Sequence, residues 1–334
     1  MLFLIIVFVG LMLFSLNGLY LWVIMEMMLF TVLYLLVMYN SNMHNLLMLF
    51  NYMVLNVLAG IMVLVGVLVE CLFMGNLYSF SVLLSNYSFY LILLGLFIKL
   101  GIYPFYYQVY YLFLSLNLMQ CMVILFLPKL IPIILLMEIG VSNSVIGAMV
   151  LLSVVMVLVS SFNGVMYNDL RLVVAFSSIS YLGFYLLLMP GGPIFFLLYF
   201  FFYYSVMVLF MGSFGKNQEV YLNNLFEIQA NGLRKGFFIL MIFVLSGMPP
   251  FFMFMWKLMI LYEVLKMNLF MVFVFLLCYL GNLIFYMRLL LLILGVSYNY
   301  NGLSSLDAST SNSYLGGITG VLMFSTSVMF LMFL

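Results

Sequence analysis

Four ionisable side chains stand deep inside apolar sequence: Glu26 in WVIMEMMLF, Lys99 in GLFIKLGIYPF, Lys129 in LFLPKLIPII and Lys257 in MFMWKLMIL. A charge at mid-membrane depth costs about 2.5–3.5 kcal/mol on insertion scales. Four uncompensated ones would cost on the order of 10–14 kcal/mol, as much as a typical net stability of about 5–15 kcal/mol. These groups are therefore expected to be paired, hydrated or partly neutral, and to face a bundle interior. One glutamate cannot neutralise three ammonium groups, so ion pairing within the chain is an incomplete account, unless a neighbouring subunit supplies a carboxylate. Burial of a lysine favours its neutral form and lets it exchange a proton near neutral pH. A string of such groups with water between them has the makeup of a proton relay. The competing reading is that each lysine snorkels, or caps a broken helix by bonding its free carbonyls. It weighs most for Lys129, which has prolines on both sides. Glu70, Glu138 and Glu263 fall near the ends of apolar runs, where an interfacial position is the ordinary one.

The elements that position these groups follow from composition. The 334 residues are 69% hydrophobic and 5% charged, with net charge +1. A water-facing surface needs roughly 25% charged residues, so lipid is the solvent for most of the chain. Backbone in hydrocarbon must satisfy its own hydrogen bonds, and the long apolar runs are expected to be helices. About eleven spans are predicted: 2–15, 19–38, 46–72, 87–112, 117–137, 143–162, 170–189, 194–213, 236–261, 268–292 and 315–333. The turns between them are marked by Asn17-Gly18, 40–45, 75–79, Gly164, 190–193 and 297–313. The lone His44 is expected in the polar turn 39–45. Cys71, Cys121 and Cys278 are far apart in apolar sequence and read as small buried hydrophobes rather than metal or iron–sulfur ligands. No nucleotide-binding motif is present.

Two spans contain breaks. Pro104 interrupts 87–112 and Pro249-Pro250 interrupts 236–261, and proline removes a donor and clashes with the preceding turn. Such breaks survive in lipid only where they line protein or water. Each broken span also carries a buried lysine. The breaks lie about 145 residues apart, with five spans in each of two repeats, about 2–137 and 143–292, followed by a C-terminal helix at 315–333. An odd number of spans per repeat makes the second copy inverted, an arrangement found in transporters with paired discontinuous helices. The expected fold is thus all-α: one polytopic membrane domain, 1–334, of two inverted five-helix repeats.

Orientation follows from the basic residues. Arg171, Lys216, Arg234, Lys235 and Arg288 fall on the side of the N-terminus, with Lys266 the main loop cation opposite. That side is the cytoplasm equivalent, which is the matrix in a mitochondrion. The polar stretch 214–235 is expected to be a connecting loop or a helix lying at the interface. The apolar start, with no basic leader or transit peptide, fits a protein made next to its membrane. The abundance of Phe, Leu, Met, Tyr and Asn suggests an AT-rich organellar genome.

The same residues carry a resemblance over roughly 15–265. Lys99-Leu-Gly-Ile-Tyr-Pro104-Phe is similar to K-L-G-x-x-P-F. Pro128-Lys129-Leu-Ile-Pro132 is similar to Q-K-x-x-P. Asp169-Leu-Arg171, with Ala175-Phe-Ser177-Ser178-Ile-Ser180-Tyr-Leu-Gly183, resembles L-R-K-x-x-A-Y-S-S-I-x-H-x-G. Gly247-Met-Pro249-Pro250-Phe, with Lys257 following, resembles G-x-P-P-x-x-G-F-x-x-K, and Glu26 fits W-x-x-x-E. In this order they resemble the subunit 2 family of mitochondrial NADH:ubiquinone oxidoreductase (respiratory complex I), an antiporter-like membrane subunit.

The resemblance implies a translocase subunit of the mitochondrial inner membrane, with other membrane-arm subunits as partners and lipids at the periphery. It implies that Glu26 and Lys99 form a coupled pair, that Lys129 is a central relay lysine and that Lys257 is the relay group of the second repeat. It places NADH, FMN, iron–sulfur clusters and ubiquinone on other subunits, with no cofactor on this chain. Tyr106 and Tyr181 stand where the family pattern has histidines, so the polar path is expected to lean on water, Tyr106, Ser177, Ser178 and other tyrosines. Two other functions stay open: a stand-alone or Mrp-type cation/proton antiporter subunit, and a non-pumping scaffold of the membrane arm.

Overall fold

The structure is a computed structural model and describes residues 18–39, 42–74, 86–138, 143–167, 169–188, 193–212, 232–249, 251–267 and 269–300. The predicted spans 2–15 and 315–333, most of the polar stretch 214–235, and Pro250 lie outside these residues. The described chain is helical: α1 Gly18–Tyr39, α2 Met43–Met74, α3 Asn86–Leu100, α4 Tyr107–Ser115, α5 Leu118–Glu138, α6 Asn143–Met166, α7 Leu170–Leu187, α8 Pro193–Gly212, α9 Gly232–Ser246, α10 Phe252–Met267 and α11 Leu269–Tyr300. Each predicted span that falls on described residues coincides with one helix, or with one broken pair. Among the described residues, five helices are long and apolar enough to cross a membrane by themselves: α1, α2, α6 (from Met149), α7 and α11.

The chain divides into two compact units, Met1–Ala148 and Met149–Leu334. In the first, α2 packs along α3 and also touches α1 and α4, while α5 lies against α1 and α3. In the second, α9 packs on α8, α10 and α11, and α7 touches α8 and α10. The helices are apolar all round, as lipid as solvent requires. On α1, Leu21, Met25, Met28, Val32 and Leu36 are buried at helical spacing, and Tyr20, Val23, Met27, Phe30 and Tyr34 face outward. Small residues let the α2 and α3 backbones approach. A Cβ on Gly95 would sit 2.6 Å from the Ala59 carbonyl oxygen, and one on Gly66 would sit 3.0 Å from that of Ser88.

Four local expectations are corrected. His44 lies in the first turn of α2 and is exposed, because the helix starts at Met43 with the Asn42 carbonyl accepting the Leu46 N–H at 3.1 Å. Gly164 lies inside α6 and marks no turn. A Cβ there would come within 2.5 Å of the Phe285 ring, so this glycine serves close packing. Residues 297–300 continue α11, since serine and asparagine are only mildly unfavourable in a helix. Lys266 is a residue of the last turn of α10 rather than of a loop. There it bonds Glu263 at 2.8 Å, and a cation suits a helix C-terminus. Cys121 and Cys278 are free and buried.

Candidate functional site

Both broken helices end in the same backbone device. In the first unit α3 stops at Leu100, and Gly101 takes a left-handed φ of +71°. The Gly101 N–H bonds the Ile98 carbonyl at 3.1 Å, and the Ile102 N–H reaches back to Phe97 at 3.0 Å. In the second unit α9 stops at Ser246, with Gly247 at φ +69°. The Gly247 N–H bonds Val244 at 3.0 Å, and the Met248 N–H reaches back to Phe243 at 3.5 Å. Each is a Schellman termination, in which a left-handed glycine closes two of the orphan carbonyls. Each is followed by a turn, Phe105 N–H to Ile102 O at 2.7 Å and Phe251 N–H to Met248 O at 2.9 Å, before the chain resumes as α4 or α10. Pro104, after a cis Tyr103–Pro104 bond, and Pro249 lie in these turns and are exposed.

The lysines sit on opposite sides of the two breaks. Lys99 belongs to the helix before the break, and its Nζ bonds Glu26 Oε1 of α1 at 2.5 Å. The Lys99 side chain is 2% exposed and that of Glu26 13%, so the pair is nearly enclosed. Lys257 belongs to the helix after the break and reaches back over it, donating from Nζ to the Ser246 carbonyl at 2.5 Å. That oxygen is among those the Schellman motif leaves open, and the helix C-terminus carries partial negative charge.

The carbonyls beside it are also capped. The Tyr181 hydroxyl of α7 donates to Leu245 O. The Tyr279 hydroxyl of α11 donates to Gly247 O at 3.1 Å. The Lys257 ammonium lies 4.4 Å from the centre of the Tyr279 ring and 5.8 Å from that of Phe184, within the range of cation–π attraction. Gly247 is required for its φ, and a Cβ there would also press on the end of the Lys257 side chain, 2.8 Å from its Nζ.

From Tyr181 a polar seam continues inside the second unit. Its ring stacks on Tyr203 at 4.0 Å, and the Tyr203 hydroxyl lies 3.3 Å from Ser177 Oγ. Ser180 Oγ faces Asn282 Oδ1 at 3.4 Å. Ser178 instead bonds back to Ala175 of its own helix at 2.7 Å. Within the first unit, Tyr106 is buried at the break and stacks between Tyr103 and Tyr107, with ring centres 6.0 and 4.2 Å away. Lys129 is buried on the unbroken helix α5, which runs through Pro128 and Pro132. Its Nζ has no hydrogen-bond partner among the described residues.

The structure thus joins Glu26 to Lys99, and sets Lys257 as a carbonyl cap on the second helix end, the placement the competing reading expected most of Lys129, whose Nζ has no partner among the described residues. Sequence reasoning missed Tyr203, Tyr279, Asn282 and Gly60 of α2. Asn282, in the middle of an apolar run, carried a signal of its own. The three others are ordinary residue types whose role appears only once helices are paired.

No family model matches the chain. Among characterised proteins it is similar to NADH-ubiquinone oxidoreductase chain 2 of Aedes aegypti, 23% identical over 218 residues that cover 65% of this chain and 63% of that one. The shrew Sylvisorex johnstoni protein of the same name is 25% identical over 244 residues, covering 71% and 69%. The chain thus spans a little under two thirds of the mosquito relative's length. Of solved structures, a chain of respiratory complex I from Thermus thermophilus superposes with a TM-score of 0.75 at 19% identity, covering 83% of this chain and 66% of that one. A chain of the Mrp complex from a Dietzia species gives 0.68 at 17% identity, covering 90% and 59%. At these identities the structural likeness is one of fold. Apolar composition and the long helices together define a multi-pass, all-helical membrane protein that shares its fold with these complex chains. Within that class, the chain resembles NADH-ubiquinone oxidoreductase chain 2.

Proposed function

We propose that the chain is a proton-translocating membrane subunit of a mitochondrial NADH:ubiquinone oxidoreductase, in the inner membrane among other membrane-arm subunits and lipid. The observation that carries the reading is the placement of buried ammonium groups on both broken helices, Lys99 on Glu26 and Lys257 on the carbonyl end of α9. Each is held by partners that favour its charged form inside surroundings that disfavour it. A small rearrangement at either break changes that balance and with it the proton occupancy. Lys129, buried on α5 with no hydrogen-bond partner among the described residues, is the third proton-binding group. Tyr181, Tyr203 and Ser177 form a polar path within the second unit, and Tyr106 stands at the break of the first.

Electron transfer from NADH to ubiquinone, on other subunits that hold the flavin and iron–sulfur groups, drives the cycle. The organisation as two repeats, about 2–137 and 143–292, belongs to the same reading, and the matched Schellman terminations support it. The test is Lys99→Met and Lys257→Met in the assembled complex, with proton uptake per electron measured in vesicles. Loss of uptake in an assembled complex is expected, and unchanged stoichiometry would sink the relay. The likeness to the Mrp complex chain favours one alternative, a cation/proton antiporter subunit. It predicts that uptake in vesicles depends on a monovalent cation gradient rather than on NADH oxidation.

A further inference from the structure

Gly60 lies where three helices of the first unit meet at the Glu26–Lys99 pair. Trp22 and Glu26 are four residues apart, on one face of α1. Both touch Gly60 of α2. The Trp22 indole donates from Nε1 to the Gly60 carbonyl oxygen at 2.7 Å. The Glu26 carboxylate occupies the space a Cβ on Gly60 would fill: such an atom would overlap Glu26 Oε1 and stand 2.8 Å from its Cδ and 3.2 Å from Lys99 Nζ. One residue before, the Ala59 carbonyl takes the close approach of Gly95 on α3, the helix that carries Lys99. Space and register at the pair are thus set by one backbone position. The glycine leaves a slot one carboxylate wide, and the Trp22 hydrogen bond fixes how far α1 has slid along α2 when Glu26 enters it.

We infer that Gly60 is a positioning residue for the Glu26–Lys99 pair, with Trp22 as the register pin that aims the carboxylate into its slot. The inference rests on the relay reading for its functional weight, but not for its geometry. A side chain at position 60 takes the space that Glu26 Oε1 holds, so the carboxylate must leave its present position beside the Lys99 ammonium. Shortening the acid by one methylene withdraws the carboxylate from that space, and the flexible Lys99 side chain follows it to keep the contact.

The test uses Gly60→Ala alone and combined with Glu26→Asp, in the native membrane complex that contains the chain. Two quantities are read: the separation of the acid at position 26 from Lys99 by electron cryomicroscopy, and proton uptake per electron in vesicles. The expected result is separation beyond hydrogen-bond reach, above about 3.2 Å, in Gly60→Ala, with contact restored in the double variant and uptake lost and regained in step. If the distances change as expected while uptake stays constant, Gly60 keeps its positioning role and the relay reading falls. If the pair stays in contact in Gly60→Ala, or the double variant does not restore it, the inference is overturned. Should Gly60→Ala fail to assemble, assembly regained in the double variant supports the steric assignment, and continued failure overturns it.

Discussion

The two helix breaks share a backbone and differ in how they hold a charge. At the first, Lys99 precedes the left-handed glycine and meets a full opposite charge on another helix. At the second, Lys257 follows the glycine and meets only the partial charge of a helix end, helped by an aromatic ring. Full charge against partial charge is the physical difference. A buried ammonium facing a carboxylate leaves a bare ion behind if either member is removed. An ammonium on a carbonyl leaves only a dipole. The same fold therefore offers a firmly paired site in one unit and a loosely held one in the other.

Single removal at the first break is the harshest way to probe this comparison. Lys99→Met leaves Glu26 without its cation and is expected to cost about 3–5 kcal/mol, read as a lowered midpoint of thermal disassembly of the complex. Adding Glu26→Gln should recover part of that loss. Lys257→Met removes a charge-assisted bond and strands no ion, so about 1.5–3 kcal/mol is expected. Were its cost to equal that of Lys99→Met, a carboxylate from elsewhere would have to face Lys257, and the comparison would fail.

The glycines sharpen the contrast further. Gly101→Ala and Gly247→Ala each force a left-handed alanine, at about 1–2 kcal/mol. Only the second also pushes on the lysine, 2.8 Å from the new Cβ, so it alone should lower proton uptake per electron. Tyr279→Phe is the mildest change. It gives up the bond to Gly247 O, about 0.5–1.5 kcal/mol, and keeps the ring over Lys257. Tyr279→Leu should lose a further increment of about 0.5–2 kcal/mol, which isolates the aromatic contribution when thermal midpoints are compared.

Much of this was legible in the sequence. Long apolar runs broken by Pro104 and Pro249 mark the helices and their interruptions, because lipid leaves the backbone few alternatives. The buried charges announced themselves by their cost. Helix ends were read less well where glycine or polar residues have two uses: Gly164 packs against Phe285 rather than turning the chain, and 297–300 stay helical. Side-chain pairings were the least legible. Nothing near Lys257 in sequence points to Tyr279 or Tyr181, since their meeting depends on three helices packing at one depth. Tyr181, at a histidine position of the family pattern, is expected from sequence only to join a polar path of water, serines and tyrosines. In the structure that tyrosine caps the broken helix beside Lys257.

One helix carries a consequence for membrane insertion. Among the five helices able to span a membrane alone, α7 is the least apolar, and nearly all of its residues are buried by protein. Its Ser177, Ser178, Ser180 and Tyr181 would be poorly received by bare lipid. As an isolated segment α7 is therefore expected to partition into a bilayer less readily than α1, α2, α6 or α11, which single-segment insertion measurements would read.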